Sequence, residues 1–225
     1  MTFIAVEGID GAGKRTCVES VVTLARRRGY SSEHVSFPRY GETLISESIT
    51  EFLREKKYAR TSNRALAAIY AAERLESLEY IRDLIQDNDL VVADRFVASN
   101  VVYQAARAEP EDQALLMSWI DRLEHEVFEL PRPSLYVWLA IDPSRASLRA
   151  AARLTTHGRP NRDRNEADKP LLRECDRLYR ILSTGSTGSR WITYEDEDLE
   201  VAPTQLAEQI LNDLQTSGFP RPACL

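Results

Sequence analysis

Residues 8–16 read Gly8-Ile9-Asp10-Gly11-Ala12-Gly13-Lys14-Arg15-Thr16, set between the apolar run Phe3-Ile4-Ala5-Val6 and a stretch with helical periodicity. A strand, a glycine-rich turn closing on lysine, and a helix form the context of a phosphate-binding P-loop. Small residues leave backbone N–H groups free to converge on phosphate oxygens, the helix adds its positive end, and Lys14 adds a movable charge. The nucleotide-binding set is therefore Gly8, Ile9, Asp10, Gly11, Ala12, Gly13, Lys14, Arg15 and Thr16. The strict pattern puts Ser or Thr directly after the lysine to ligate Mg²⁺. Here Arg15 intervenes and the hydroxyl arrives at Thr16.

The chain has 225 residues, 43% hydrophobic and 28% charged, which fits one globular domain over 1–225. Its net charge of −6 provides no general attraction to nucleic acid or to an anionic membrane. No apolar stretch approaches the roughly 20 residues that span a bilayer, and the N-terminus enters a strand without a leader pattern. A cytoplasmic protein is expected. Cys17, Cys175 and Cys224 are an odd set without metal-ligand spacing, so reduced structural thiols are expected.

Strand-like runs at Phe3–Val6, His34–Phe37, Leu90–Ala93, Leu135–Ile141 and Trp191–Tyr194 alternate with helical patterns. This alternation predicts an α/β fold, a five-stranded parallel sheet flanked by helices. A first helix is predicted over about Lys14 to Arg28 and a last one over Ala202–Leu214. A single long helix is predicted from about Ser62 to Gln86, longer than one sheet face covers, so that part of it faces a second subunit. The Ser183–Ser189 stretch reads as a connection.

Four further groups fall where ligands bind in open α/β sheets, at the carboxyl ends of strands. Phe37-Pro38-Arg39-Tyr40 offers an aromatic face and phosphate-directed donors after the second strand. Asp94-Arg95-Phe96 ends the third strand with a carboxylate placed for Mg²⁺ and an arginine placed for a second phosphate. Ser99-Asn100 to Tyr103-Gln104 supplies amides that pair with a base edge. Arg149 to Glu166 is rich in arginine, with Gly158 and Pro160, and reads as a mobile cationic lid.

GIDGAGKRT, FPRY, DRFVASNVVYQ and RDRNE, in this order along nearly the whole chain, resemble the thymidylate kinase family. The resemblance implies the P-loop nucleoside-monophosphate-kinase fold with a short lid at about 149–166, homodimers, and transfer of the γ-phosphoryl of ATP to dTMP with Mg²⁺. By the same resemblance Lys14 would bind the ATP phosphates, and Asp10 would approach the dTMP sugar hydroxyl and phosphate. Arg39 and Arg95 would hold the acceptor phosphate with Tyr40 nearby. Arg74 and Asn100 would contact thymine, with Gln104 adding a base contact and Tyr70 in the position of a stacking ring. Phe37 belongs to the same substrate set, and Tyr103 would crowd the 2′ position. Some family members carry an arginine in the middle of the P-loop, where this chain has Gly11; those that lack it place the catalytic arginine in the lid, here Arg153 or Arg159, with Arg15 able to take part of the role. Mg²⁺ is assigned to Asp94, Asp10 and Glu166.

A P-loop does not choose the acceptor. Two alternatives follow: a kinase for another small nucleotide or a deoxynucleoside, and a nucleotide-dependent binding protein with little turnover, to which the displaced hydroxyl points.

Overall fold

Ile4, Ala5 and Val6 are fully buried in β1 (Thr2–Glu7), as a strand covered on both faces requires. The computed structural model describes residues 1–54, 61–149, 168–185 and 189–219. β1 pairs in parallel with β3 (Leu90–Asp94) on one side and β4 (Leu135–Ala140) on the other. β2 (Ser32–Ser36) and β5 (Arg190–Glu195) are the edges, so the five strands run β2-β3-β1-β4-β5. The expected parallel sheet is present, and each predicted strand matches within a residue or two.

The strand order fixes where a ligand can bind. The connection leaving β1 runs outward to β2, whereas the one leaving β3 crosses to β4, so a crevice opens between the carboxyl ends of β1 and β3. The P-loop and Asp94-Arg95 both end there.

α1 (Lys14–Arg27) buries Cys17, Val18, Val21, Val22 and Ala25 against the sheet, and Gly29 ends it at φ 89°. α8 (Pro203–Thr216) packs beside α1. Between them in sequence lie α2 (Leu44–Arg54), α3 (Asn63–Glu76), α4 (Leu78–Asp87), α5 (Val97–Ala105), α6 (Pro110–Arg122) and α7 (Lys169–Thr184). α5 is buried along its whole length, wrapped by α3, α6 and α7. Such burial makes it a rigid carrier for the side chains it presents to the crevice.

The single helix predicted from Ser62 to Gln86 is two helices broken at Ser77. Neither glycine nor proline marks the break. Ser77 takes φ −90° and ψ 2°, donates its N–H to Glu73 and Arg74 carbonyls, and lends its hydroxyl to Arg39. The turn lets α4 bury Ile81 under the sheet. The helix-length argument for a second subunit therefore falls away.

Cys17 and Cys175 are buried free thiols, as expected, with burial pushing Cys17 up to about 12. Cys224, residues 150–166 of the predicted lid and 186–188 of the predicted connection lie outside the described residues.

Candidate active site

Three glycines let the P-loop turn sharply from β1 into α1. Gly13 caps α1 at φ 91°, leaving the first N–H groups of the helix without a side-chain partner and without an acidic residue in the first turn. That is an anion-binding helix end. Gly11 sits at φ 93° with the carbonyl oxygen of Ala146 only 2.2 Å from where a Cβ would stand. The helical residues 143–149 thus press on the loop, and no side chain, arginine included, fits at position 11 while they do. Gly11→Ala is expected to cost about 2–4 kcal/mol, from the clash and the left-handed backbone together. Gly13→Ala, with open space around it, is expected to cost only about 1 kcal/mol. Urea unfolding of the pair measures the difference.

Lys14 is buried and its Nζ donates to the Ile9 carbonyl at 2.9 Å, folding the lysine back over its own loop. Burial, and next the charge of Arg95, pulls its ammonium down to about 8. An arriving phosphate reverses that balance by pairing the charge. Arg15 points outward, 76% exposed, to Glu19 at 2.8 Å on the next turn, and Thr16 is exposed.

Arg95 is held in the left-handed region at φ 68°, uncommon outside glycine, with its N–H on the Val6 carbonyl. This backbone turn aims its guanidinium across the crevice. Nη1 donates to Gly8 O at 3.2 Å and to Ser99 Oγ at 3.0 Å, and Nη2 pairs with Asp10 Oδ1. Tyr103 donates to the other Asp10 oxygen at 3.1 Å and lies under the Arg95 guanidinium. Burial works to raise the Asp10 pKa, but Arg95, Lys14 and Tyr103 hold it below the usual aspartate value. Asp10 is consequently a carboxylate, a hard oxygen donor suited to Mg²⁺. Asp94 ends β3 half-buried, close enough to contribute to the field on Lys14 and Arg95.

A cavity opens from Arg95 and Asp10 toward the interior, lined also by Phe37, Tyr40, Tyr70, Arg74, Asn100, Tyr103 and Gln104. The space between these side chains, open mouth included, is about 520 Å³. Asn100, Tyr103 and Gln104 come from one face of α5, as their i, i+3, i+4 spacing dictates. Phe37 packs on Phe96 with ring centroids 5.5 Å apart, and Tyr40 lies 52% exposed at the rim.

Arg39 does not line this cavity. Its guanidinium lies over the Tyr80 ring at 3.9 Å and donates to Glu42 at 2.6 Å and to Ser77 at 3.3 Å, while its backbone N–H is taken by Glu73. Arg39→Ala is therefore expected to leave kcat unchanged and KM for the acceptor within about fivefold, the scale of a partly exposed ion pair. Steady-state kinetics over acceptor concentration checks it.

Three functional side chains escaped the sequence reading. Glu7, wholly buried at the end of β1, accepts from Ser99 Oγ at 2.6 Å, Phe96 N at 2.9 Å and Tyr179 OH at 3.0 Å. Burial raises its pKa, against these hydrogen bonds and Arg95. It fixes Ser99, and through Ser99 the Arg95 guanidinium. Tyr179 reaches it from α7. Glu124, also wholly buried, is clamped by Arg74 through Nε at 2.5 Å and Nη2 at 2.7 Å. A charged residue ending an otherwise apolar buried strand was the available signal for Glu7; nothing local marked the other two.

Arg153, Arg159 and Glu166 lie outside the described residues. Among the described residues no three carboxylate, histidine or cysteine side chains cluster as a metal site, and no helix is long and apolar enough to cross a membrane.

Comparison with known proteins agrees with this geometry. Residues 6–193 match the family model described as thymidylate kinase. A thymidylate kinase of Mycobacterium tuberculosis is 34% identical over 206 residues, covering 91% of this chain and 95% of the relative. One of Schizosaccharomyces pombe is 25% identical over 211 residues, covering 93% and 91%. In fold, the chain superposes on a solved thymidylate kinase structure from Candida albicans with a TM-score of 0.70 at 20% identity, covering 97% of this chain and 92% of that one.

Proposed function

The chain belongs to the thymidylate kinase family, and from that premise we propose that it transfers the γ-phosphoryl group of ATP to dTMP, giving ADP and dTDP for dTTP synthesis. The observation that carries this reading is the cavity beside the P-loop, cationic at Arg95 next to Lys14 and lined by amides and Arg74 at its inner end. A second phosphate site so close to the first serves a kinase, whereas a nucleotide-binding regulator has no use for it.

Phosphoryl transfer between two phosphates asks for alignment and charge neutralisation. The P-loop amides and Lys14 bind the ATP β- and γ-phosphates. Arg95 exchanges its contact with Asp10 for the acceptor phosphate, which presents two oxygens to its fork. Asp10, released, takes the sugar hydroxyl side, and Tyr103 fills the space where a 2′-hydroxyl would project. The acceptor, with a second pKa of about 6, is already ionised at neutral pH, so no general base is needed. Mg²⁺, for which ionised Asp10 and neighbouring Asp94 are fitting donors with Glu166, supplies charge neutralisation on the phosphates when bound. As the family resemblance implies, Arg153 and Arg159 add positive charge toward the transferred phosphoryl group, and two copies of the chain form a cytoplasmic homodimer.

ADP release from MgATP with dTMP, dUMP, UMP, AMP or thymidine as sole acceptor tests the reading. Strong turnover with dTMP alone, weaker turnover with dUMP and none with UMP is the expected result. Turnover with thymidine alone, or ATP binding with no acceptor-dependent turnover, contradicts it.

A further inference from the structure

Glu124 sits in a single π-helical turn, Leu123–Val127, appended to α6 and closed by Phe128 N–H on the Leu123 carbonyl. Such turns insert a residue into a helix and redirect a side chain. Here the redirected carboxylate points inward, between α3 and α5, away from the solvent that surrounds Glu126 two residues on. It meets both side chains that face the inner end of the cavity.

Its contacts leave each of them one polar atom. Glu124 occupies Nε and Nη2 of Arg74, and among the described residues Nη1 has no hydrogen-bond partner. Burial opposes the Arg74 charge, but Glu124 outweighs it and holds the guanidinium more firmly protonated than usual. Asn100 gives its Nδ2 protons to Glu124 Oε1 at 2.8 Å and to the Ala67 carbonyl at 3.0 Å. With acceptors on that side only one amide orientation is possible. Asn100 Oδ1 is thereby turned away from Glu124, buried and without a partner, in a residue that lines the cavity. Gln104 Oε1, from the next turn of α5, is a second buried acceptor without a partner.

Resting on the reading above, we propose that Glu124 is the positioning residue that sets the hydrogen-bond polarity of the base pocket, holding Arg74 as donor and Asn100 as acceptor. A donor beside an acceptor matches a pyrimidine with a carbonyl at C4 and a proton on N3. Cytosine presents the reverse, an amino group at C4 and a bare N3, and would meet donor with donor and acceptor with acceptor. Buried polar groups left unpaired in this way are what make such a pocket selective.

The test is the ratio of kcat/KM for dTMP to that for dCMP, with KM for ATP measured alongside. In Glu124→Gln one of the two accepting oxygens becomes a donor, so the clamp shared by Arg74 and Asn100 is broken and only the Ala67 carbonyl still orients the Asn100 amide. The expected result is a fall of about 10- to 100-fold for dTMP, an unchanged KM for ATP, and a narrowed ratio. An equal fall for both acceptors would mean a structural role only and overturns the proposal. Should Glu124→Gln not fold, Arg74→Met with Glu124→Met replaces the buried pair by apolar side chains of similar size, a change that such sites often tolerate. There the ratio is expected to collapse to within about tenfold of unity, and a retained wild-type ratio overturns the proposal. Wild-type protein that fails to phosphorylate dTMP would take down the kinase reading together with this one; wild type selective for dTMP with variants that keep the ratio takes down this one alone.

Discussion

Lys14→Met is expected to yield a folded protein with kcat reduced by about 10³-fold or more, the scale set by losing a charge aimed at the transferring phosphoryl group. The stem of the side chain stays packed, so the fold has no cavity to absorb. What disappears is an ammonium whose pKa is pulled down to about 8 by burial and the charge of Arg95. Two pH dependences follow. Because the folded-state value lies below the unfolded one, the unfolded chain binds more protons between about pH 8 and pH 10.5, and Lys14 makes stability rise with pH across that window. The difference in unfolding free energy between wild type and Lys14→Met should show that rise. In the free enzyme, kcat/KM for ATP should fall as pH passes about 8, whereas kcat at saturating ATP should stay level further, since bound phosphates favour the protonated lysine. A fully active Lys14→Met protein would remove Lys14 from the mechanism.

Arg95→Met is expected to lower kcat/KM for dTMP by about 10³-fold while KM for ATP stays within a few-fold, since a forked contact to a transferring or accepting phosphate is worth that much. Arg95→Lys should rescue little, because a point charge does not reproduce a planar fork that spans Gly8 O, Ser99 and Asp10. Arg95→Met also leaves the half-buried Asp10 without its main counter-charge. Asp10 is held low in the wild type, so its contribution to stability is present at neutral pH and is lost as pH falls through the acid range below the ordinary aspartate value. In Arg95→Met that contribution is gone, and the acid-unfolding curve should move to higher pH. Equal losses for dTMP and ATP would show instead that Arg95 serves the loop and not the acceptor. The contrast with Arg39, whose guanidinium is spent on Tyr80, Glu42 and Ser77, is the internal control.

The strands and the P-loop were legible because their signals are local: alternation of apolar runs with helical periodicity, and small residues ending in lysine between two such elements. Asp94 and Arg95 were legible by position, at the end of a buried strand, and Asn100, Tyr103 and Gln104 by helical spacing. What stayed hidden depends on partners far away in sequence. Glu7 is fixed by Ser99 and Tyr179, 92 and 172 residues on, and Glu124 by Arg74 and Asn100, 50 and 24 residues back. In the run Leu123-Glu124-His125-Glu126 a glutamate reads as one of a solvated pair, and only the π-helical turn turns it inward. The direction of Arg39 was equally beyond local reading, since the donors of FPRY are correct in type and the neighbours across the break at Ser77 decide where they point. That break itself rests on a serine in a bridge conformation, with none of the usual helix-stopping residues.

The transfer of label from [γ-³²P]ATP in the presence of Mg²⁺ and dTMP tests the central claim most directly. Label appearing in dTDP, dependent on dTMP and absent with Lys14→Met, is the predicted result. Label released only as inorganic phosphate, or transferred to another acceptor while dTMP stays untouched, would contradict the account.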